Sequence, residues 1–417
     1  MVNRSDLRKV ILDWCGWLER AKVSCFTRDI SFTMPVNQAL ALTGVRRAGK
    51  SFSAVNFILE NDASVFYMNF EDPFFSIEFS VTIFDQLITA YVEEFGKEPV
   101  YLIFDEIQNI NSWERWVRKT VDLKKYKIIL SGSSAKLLSS EVATALTGRG
   151  VERNIWPLSF KEYLRFSGKK CESDNEYLAA IREYMNFGGM PEIVLLKDEN
   201  QKVELLRQYL TDIISKDILN RYQIRSKRTL DQIVIYYLTN ISSLHSYNSV
   251  KNAFDVNLDT VRDYTKYLGE CFLIFEVNRY HPNLKVSARD PKKIYSIDTG
   301  LRNFNSASHS TDLGRLAENI VFVELKRRGY EISYFKDNFE ADFVATQHSE
   351  PNLIVQVCYS DMRDESTYNR EIRATTEAMQ QLKMHEAFIV TENRHETLKI
   401  NADLIHMVPL YEWLLEK

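Results

Sequence analysis

The sequence lacks the marks of several protein classes. It holds five cysteines in 417 residues, Cys15, Cys25, Cys171, Cys271 and Cys358, and none stands in a CxxC pair. An odd, scattered set suits reduced thiols in a cytosol, not a disulfide framework or a structural zinc site. The seven histidines include no HExxH, so a zinc enzyme of that kind has no support. No apolar run approaches the roughly 18 residues of a membrane-spanning helix. The N-terminus does not read as an export signal, because Arg4, Asp6, Arg8 and Lys9 come early and Asp13 interrupts the nearby apolar stretch. These absences predict a cytoplasmic protein with no membrane partner. A surplus of positive charge is also missing. Lys and Arg number 53 and Asp and Glu 57, a formal net charge of −4. That excludes a basic nucleic-acid coat and leaves room for a local basic patch. There is no internal repeat and no low-complexity linker.

What is present is an ordinary globular composition, 45% hydrophobic and 26% charged. At about 150 residues per domain, two or three domains are expected. Residues 36–155 alternate between strand-like and helix-like segments. Val36–Thr43, Ser64–Asn69, Val100–Phe104 and Lys127–Leu130 read as strands; Lys50–Glu60, Glu78–Glu94 and Trp113–Lys124 read as helices. Apolar runs without alternation predict strands buried on both faces, as in a parallel sheet covered by helices. The fold class is therefore α/β. From Pro157 to Arg225 the period is helical, with a turn at Phe187-Gly188-Gly189-Met190-Pro191. Residues 229–297 read as a small winged-helix module. After Asp312 a helix, Leu313–Arg328, precedes strands at Glu331–Phe335, Ala341–Ala345 and Leu353–Tyr359.

Gly44-Val45-Arg46-Arg47-Ala48-Gly49-Lys50-Ser51 fits GxxxxGK[ST], the Walker A pattern, between a strand and a helix. Glycines there let backbone N–H groups close around phosphate oxygens at a helix N-terminus. Gly44, Arg46, Arg47, Ala48, Gly49, Lys50 and Ser51 are the predicted nucleotide-binding residues. Lys50 would neutralise the outer phosphates, and the Ser51 hydroxyl would coordinate Mg²⁺. Tyr101-Leu102-Ile103-Phe104-Asp105-Glu106 is an apolar strand ending in two acids. Asp105 is the second predicted Mg²⁺ ligand, and Glu106 the residue that orients or deprotonates the attacking water. The next strand ends in Ser131-Gly132-Ser133-Ser134. Ser131 and Ser133 are candidates to contact the γ-phosphate or the water, and a helix cap explains Ser133 or Ser134 equally well. Arg149, on the glycine-flanked turn Gly148-Arg149-Gly150, is a candidate arginine finger for a neighbouring subunit. A surface arginine, or one paired with Glu152, is the plainer reading.

The chain resembles the archaeal and bacterial AAA-type ATPases that join a P-loop core to a helical and winged-helix region and a restriction-endonuclease-like domain. Thr43–Ser51, Ile103–Gln108, Leu130–Ser134, Leu146–Gly150, Pro157–Tyr163, Asp298–Leu301 and Gly314–Leu325 carry the resemblance. It implies an ATPase core with an N-terminal extension over residues 1–156, a helical lid over 157–225, a winged-helix-like module over 226–300 and an endonuclease-like domain over 301–417. It also implies ATP and Mg²⁺ as cofactors. Endonuclease-like cores use a helix acid, an Asp and a (D/E)xK, with acids holding Mg²⁺ and a lysine assisting water. Here Glu318, Asp342 and Gln356 fall at the acid positions, and Cys358 stands where the lysine belongs. The three oxygens suit a weak Mg²⁺ site, but the thiol supplies no cation. Lys336 is a candidate replacement. The expectation is a degenerate site that does not cleave.

Two basic runs, Arg221, Arg225, Lys227 and Arg228, and then Lys326, Arg327 and Arg328, could meet DNA phosphates or be solvated helix faces. The expected function is an ATP-hydrolysing AAA-type protein coupled to nucleic-acid binding, acting as a homo-oligomer if Arg149 works in trans. The alternatives are a nucleotide-gated switch for a protein partner with no DNA role, and an ATP-dependent DNA nuclease.

Overall fold

The structure is a computed structural model that describes residues 3–30, 33–61, 64–76, 79–132, 148–307, 312–360 and 362–416. The chain packs as two compact units, Met1–Ile155 and Trp156–Lys417. The three parts expected beyond residue 156 thus belong to one unit.

In the first unit, helix α1 (Arg4–Ser24) precedes β1 (Ala39–Thr43), α2 (Lys50–Asn61), β2 (Val65–Asn69), α3 (Ile83–Phe95), β3 (Tyr101–Asp105), α4 (Trp113–Asp122), β4 (Lys127–Ser131) and β5 (Gly150–Asn154). The sheet order is β2-β3-β4-β1-β5. Every pairing is parallel, with Leu40 opposite Ile129 on one side and Val151 on the other. All five residues of β3 are buried, which is why its sequence shows no alternation. Phe84 packs on Phe104 and Trp116 at ring-centroid distances of 5.3 and 4.8 Å. Burying side chains of this size contributes about 1.5–3 kcal/mol each. The sheet aligns the carboxyl ends of β1, β3 and β4, where an open α/β sheet presents its ligand crevice.

The second unit opens with helices α5 (Phe160–Phe166), α6 (Asp174–Phe187), α7 (Pro191–Leu195) and α8 (Glu199–Asp212). Past α8 the chain continues as a wider π-type turn, Ile213–Leu219. Next come α9 (Lys227–Thr239), β6 (Ser243–His245), α10 (Tyr247–Phe254), α11 (Leu258–Glu270), β7 (Ile274–Val277) and β8 (Lys292–Ser296). Their antiparallel sheet has the order β6-β8-β7. The strand β6 was not visible in the sequence because three residues carry no period. After α12 (Thr299–Asn303) and α13 (Leu313–Arg327) stand β9 (Glu331–Lys336), β10 (Glu340–Gln347), β11 (Glu350–Cys358), α14 (Glu365–Leu382), β12 (Glu386–Thr391), β13 (Glu396–Ile400), β14 (Asp403–Pro409) and α15 (Leu410–Leu415). The six strands form one mixed sheet ordered β13-β14-β12-β11-β10-β9.

Two buried polar joints run through the second unit. Asp298 caps α12 by accepting from Leu301 N at 3.0 Å, and its other oxygen accepts from Gly189 N at 2.7 Å. A Cβ at Gly188 (φ 75°) would lie 2.1 Å from Asp298 Oδ1, and one at Gly300 would lie 2.1 Å from Phe187 O. The glycine turn and the Asp-Thr-Gly-Leu motif are therefore one structure. Asn319 makes the second joint. Its Oδ1 accepts from Ser296 N at 2.7 Å and its Nδ2 donates to Ser296 O at 2.9 Å. The side chain thus satisfies β8 as a neighbouring strand would. The expected boundary at residue 300 is crossed by both joints.

Candidate nucleotide site and a buried carboxylate cluster

The loop between β1 and α2 has the backbone that its glycines allow. Gly44 has φ 137° and Gly49 φ 94°, and a Cβ on Gly44 would sit 2.2 Å from Ile155 O. Arg47 holds φ 72°, strained for a side chain of its size. Lys50 is only 7% exposed, and its Nζ donates to Gly44 O and Val45 O, each at 3.1 Å. Two loop carbonyls thus hold the ammonium at the head of α2. Arg46 pairs with Glu71 at 3.5 Å. Below the loop, buried Arg28 donates to Ala48 O at 3.1 Å.

Asp105, at the end of β3, is the hub. Its Oδ2 accepts a short bond from Ser51 Oγ and a 3.0 Å bond from Tyr67 OH, and its Oδ1 accepts from Glu106 N at 3.1 Å. Tyr67 is fixed in turn by stacking on Trp17 of α1, with ring centroids 4.7 Å apart. Glu106 turns out of the strand in the left-handed region, φ 51°. Its carboxylate accepts from Gln108 Nε2. Burial, and then the Asp105 charge, raise the Glu106 pKa, while Lys50 and Arg46 oppose the rise. A carboxylate held this way is a stronger proton acceptor than an exposed one. Ser131, the last residue of β4, is fully buried, and its hydroxyl has no partner among the described residues. Arg149 binds Asp122 at 2.7 Å. Ser133 and Ser134 lie outside the described residues, as does most of the stretch before Gly148.

In the second unit, Glu318 and Asp342 do come together, but around a residue the sequence did not single out. Lys293 of β8 is 3% exposed. Its Nζ lies 3.0 Å from Glu318 Oε1, 2.9 Å from Glu340 Oε1 and 2.8 Å from Asp342 Oδ1. Tyr295 OH also donates to Glu318 Oε1, at 2.7 Å. Burial alone would lower the Lys293 pKa, but Asp342, Tyr295, Glu318 and Glu340 outweigh it and raise it well above the ordinary value. Glu318 is pushed up to about 8, by burial first and then by the Asp342 charge. Three carboxylates facing one ammonium leave excess negative charge, and this opposes ionisation of Glu318.

Gln356 does not offer its oxygen to this cluster. Its Oε1 accepts from Asp342 N at 2.9 Å and its Nε2 donates to Glu371 at 2.7 Å. Its expected role as a third metal ligand is therefore corrected: the amide spans two strands and a helix. Lys336 pairs with Glu340 at 3.2 Å, while Cys358 is buried beside Ser360. Among the described residues, no group of three or more Asp, Glu, His or Cys side chains is placed to hold a metal ion.

The basic runs are largely spent inside the unit. Arg327 and Arg328 both pair with Glu324, and Arg328 also donates to Trp413 O at 2.8 Å. Burial lowers the Lys326 pKa. Arg221 pairs with Asp217 at 3.2 Å. Arg225, Lys227 and Arg228 remain exposed.

Residues 36–164 match a family described as an AAA domain, and residues 178–311 match a domain of unknown function. An uncharacterised protein of Methanocaldococcus jannaschii is 35% identical over 100% of this chain and 96% of its own length. The chain belongs to the same family. An uncharacterised protein of Haemophilus influenzae is 29% identical over 90% of this chain and 94% of its own. Among solved structures, the Thermotoga maritima RuvB Holliday junction branch migration motor covers 66% of this chain and 90% of its own, at TM-score 0.32 and 15% identity. The Aeropyrum pernix ORC1 protein in complex with DNA covers 72% and 91%, at TM-score 0.29 and 11% identity. Overlays this loose transfer no partner and no activity.

In the first unit, the phosphate loop and the two acids of β3 were readable from local pattern. Tyr67, Gln108 and Arg28 were not. Tyr67 sits in an apolar strand whose sequence gives no sign that a hydroxyl is needed. Only the parallel pairing of Asn69 with Asp105 brings that strand's end to the site. No helix among the described residues is long and apolar enough to cross a membrane.

Proposed function

We propose that this chain is an ATP hydrolase whose AAA domain binds ATP with Mg²⁺ and uses turnover to act through residues 156–417. The observation that carries the reading is the convergence on Asp105, where the Ser51 hydroxyl and the Tyr67 hydroxyl share one oxygen. Ser51 and Asp105 form the oxygen donor set that a hard cation prefers, so the residues fit the metal. When bound, Mg²⁺ neutralises charge on the phosphates. Lys50 can leave the two neutral carbonyls and give its charge to a phosphate. Tyr67 keeps Asp105 aimed. Glu106, held by Gln108 with a raised pKa, takes the proton of the attacking water. Ser131, buried and without a partner among the described residues, can orient that water or a phosphate oxygen. Arg149 would serve a neighbouring copy after leaving Asp122. The check on this role is whether specific activity rises with protein concentration.

The order helix, strand, two helices, two strands over 227–296, with β8 between β6 and β7, supports the reading of a winged helix and, with it, coupling to nucleic acid. Arg225, Lys227 and Arg228 before it, and Lys285 and Arg289 in its β7–β8 loop, are exposed cations. One observation favours a second reading, a switch for a protein partner. The third helix, α11, exposes Asp259 and Asp263 against Arg262 and Lys266, so it offers no net positive charge to a groove lined by phosphates. The test is ATP turnover with and without single- and double-stranded DNA. A several-fold rise supports coupling. Basal turnover that DNA leaves unchanged favours the switch, and no turnover at all removes the hydrolase reading.

A further inference from the structure

The cluster in the second unit gathers three carboxylates, from α13 and β10, around one ammonium from β8. An ammonium has three N–H groups, and Lys293 Nζ has three carboxylate oxygens at 2.8, 2.9 and 3.0 Å. Hydrogen bonds run to Glu318 and Asp342, and Glu340 adds a third charge contact. The spacing also suits nitrogen, since Mg²⁺ holds oxygens at about 2.1 Å and Ca²⁺ at about 2.3–2.6 Å. The remaining groups are already engaged. Asp342 Oδ2 accepts from Val357 N at 3.0 Å, and Glu340 also pairs with Lys336. Gln356 is turned to the backbone and Glu371. Lys293, Asp342 and Glu318 are buried, while Glu340 is partly exposed, so a large substrate has no ready access to the ammonium.

We infer that Lys293 is the resident cation of this centre, its ammonium occupying the point on which Glu318, Glu340 and Asp342 converge. The lysine makes the centre metal-free by construction and converts it into a bolt between the three-stranded sheet and the six-stranded one. The inference is independent of ATP hydrolysis and goes beyond the expected loss of cleavage, because it names the group that occupies the centre. It also makes a reversal possible. With the ammonium removed and the chain length kept, the acids lack a counter-ion and should accept one from solution.

The experiment uses nucleotide-free full-length protein and Mn²⁺ as the probe, counted by electron paramagnetic resonance. Wild type and Asp342→Asn should bind the same number of Mn²⁺ ions, none at this centre. Lys293→Met should gain one Mn²⁺ site, and Mn²⁺ should raise its Tm by several degrees. Both gains should vanish in Lys293→Met/Asp342→Asn. A wild-type Mn²⁺ site that disappears in Asp342→Asn would overturn the inference, because the centre would then hold metal beside the lysine. So would folded Lys293→Met that gains neither a site nor stability from Mn²⁺. Should Lys293→Met fail to fold, the wild-type and Asp342→Asn comparison decides alone.

Discussion

Two buried lysines, one in each unit, sit among nearly the same kinds of groups and end in opposite states. Lys50 rests on two neutral carbonyls, near a carboxylate that a serine and a tyrosine bind instead. Lys293 rests on three carboxylates, one of which a tyrosine also binds. A carbonyl accepts from an ammonium without carrying a charge, so Lys50 can exchange these two for phosphate oxygens. Carboxylates cancel the charge, and leaving them would strand several buried anions. The first lysine is poised and the second is locked. A buried cation is thus defined by the charge of its acceptors more than by its burial.

The sharpest way to break this contrast is to remove each lysine in turn. Lys50→Ala should weaken ATP binding by ~100-fold or more in calorimetric titration, while the unfolding free energy changes by less than about 1 kcal/mol. In the same domain, Glu106→Gln should keep binding and slow turnover by about 10²–10⁴-fold. Turnover at the wild-type rate in Glu106→Gln would remove it as the base.

Lys293→Met should do the reverse. Breaking a buried ion cluster by deleting one partner costs about 3–5 kcal/mol. Denaturant unfolding should show that loss with ATP affinity unchanged. A variant as stable as wild type would mean that the acids have another counter-ion, and the contrast would collapse.

The smallest effect is in pH. Burial raises Asp298 to about 6 and Glu318 to about 8. A carboxyl whose folded pKa is raised keeps its proton in the folded state after the unfolded chain has lost it. Its contribution is therefore complete below the unfolded pKa and is lost as pH rises through the folded value. For Asp298 the window runs from about pH 4 to 6 and spans up to about 3 kcal/mol. For Glu318 the decline continues toward pH 8. Tm measured across pH 4.5–6.5 should fall more steeply in wild type than in Asp298→Asn. Parallel curves would show that Asp298 titrates as an ordinary carboxyl.

Legibility followed chain distance. Lys50 and Ser51 are neighbours, and the loop's chemistry is that of its own backbone, so a short pattern sufficed. Asp105 and Glu106 were readable because an apolar strand that ends in acids is a contiguous signal. The α/β alternation followed from strands buried on both faces. The third sheet element was half-read: β9, β10 and β11 were expected, whereas β12, β13 and β14 went unremarked.

The sequence by itself determined where a phosphate loop could form, which acids faced it and that one region alternates strand and helix, because these depend on neighbouring residues and their periodicity. Tertiary structure decided the rest. Lys293 stands 25 residues from Glu318 and 49 from Asp342, and only the packing of two sheets through α13 brings them within hydrogen-bond reach. The same packing spent Arg327 and Arg328 on Glu324 and turned Gln356 toward the backbone. A charge in the sequence has no assigned partner. Which acceptor it meets, and whether that acceptor cancels it, is settled only when distant elements close around it and exclude water.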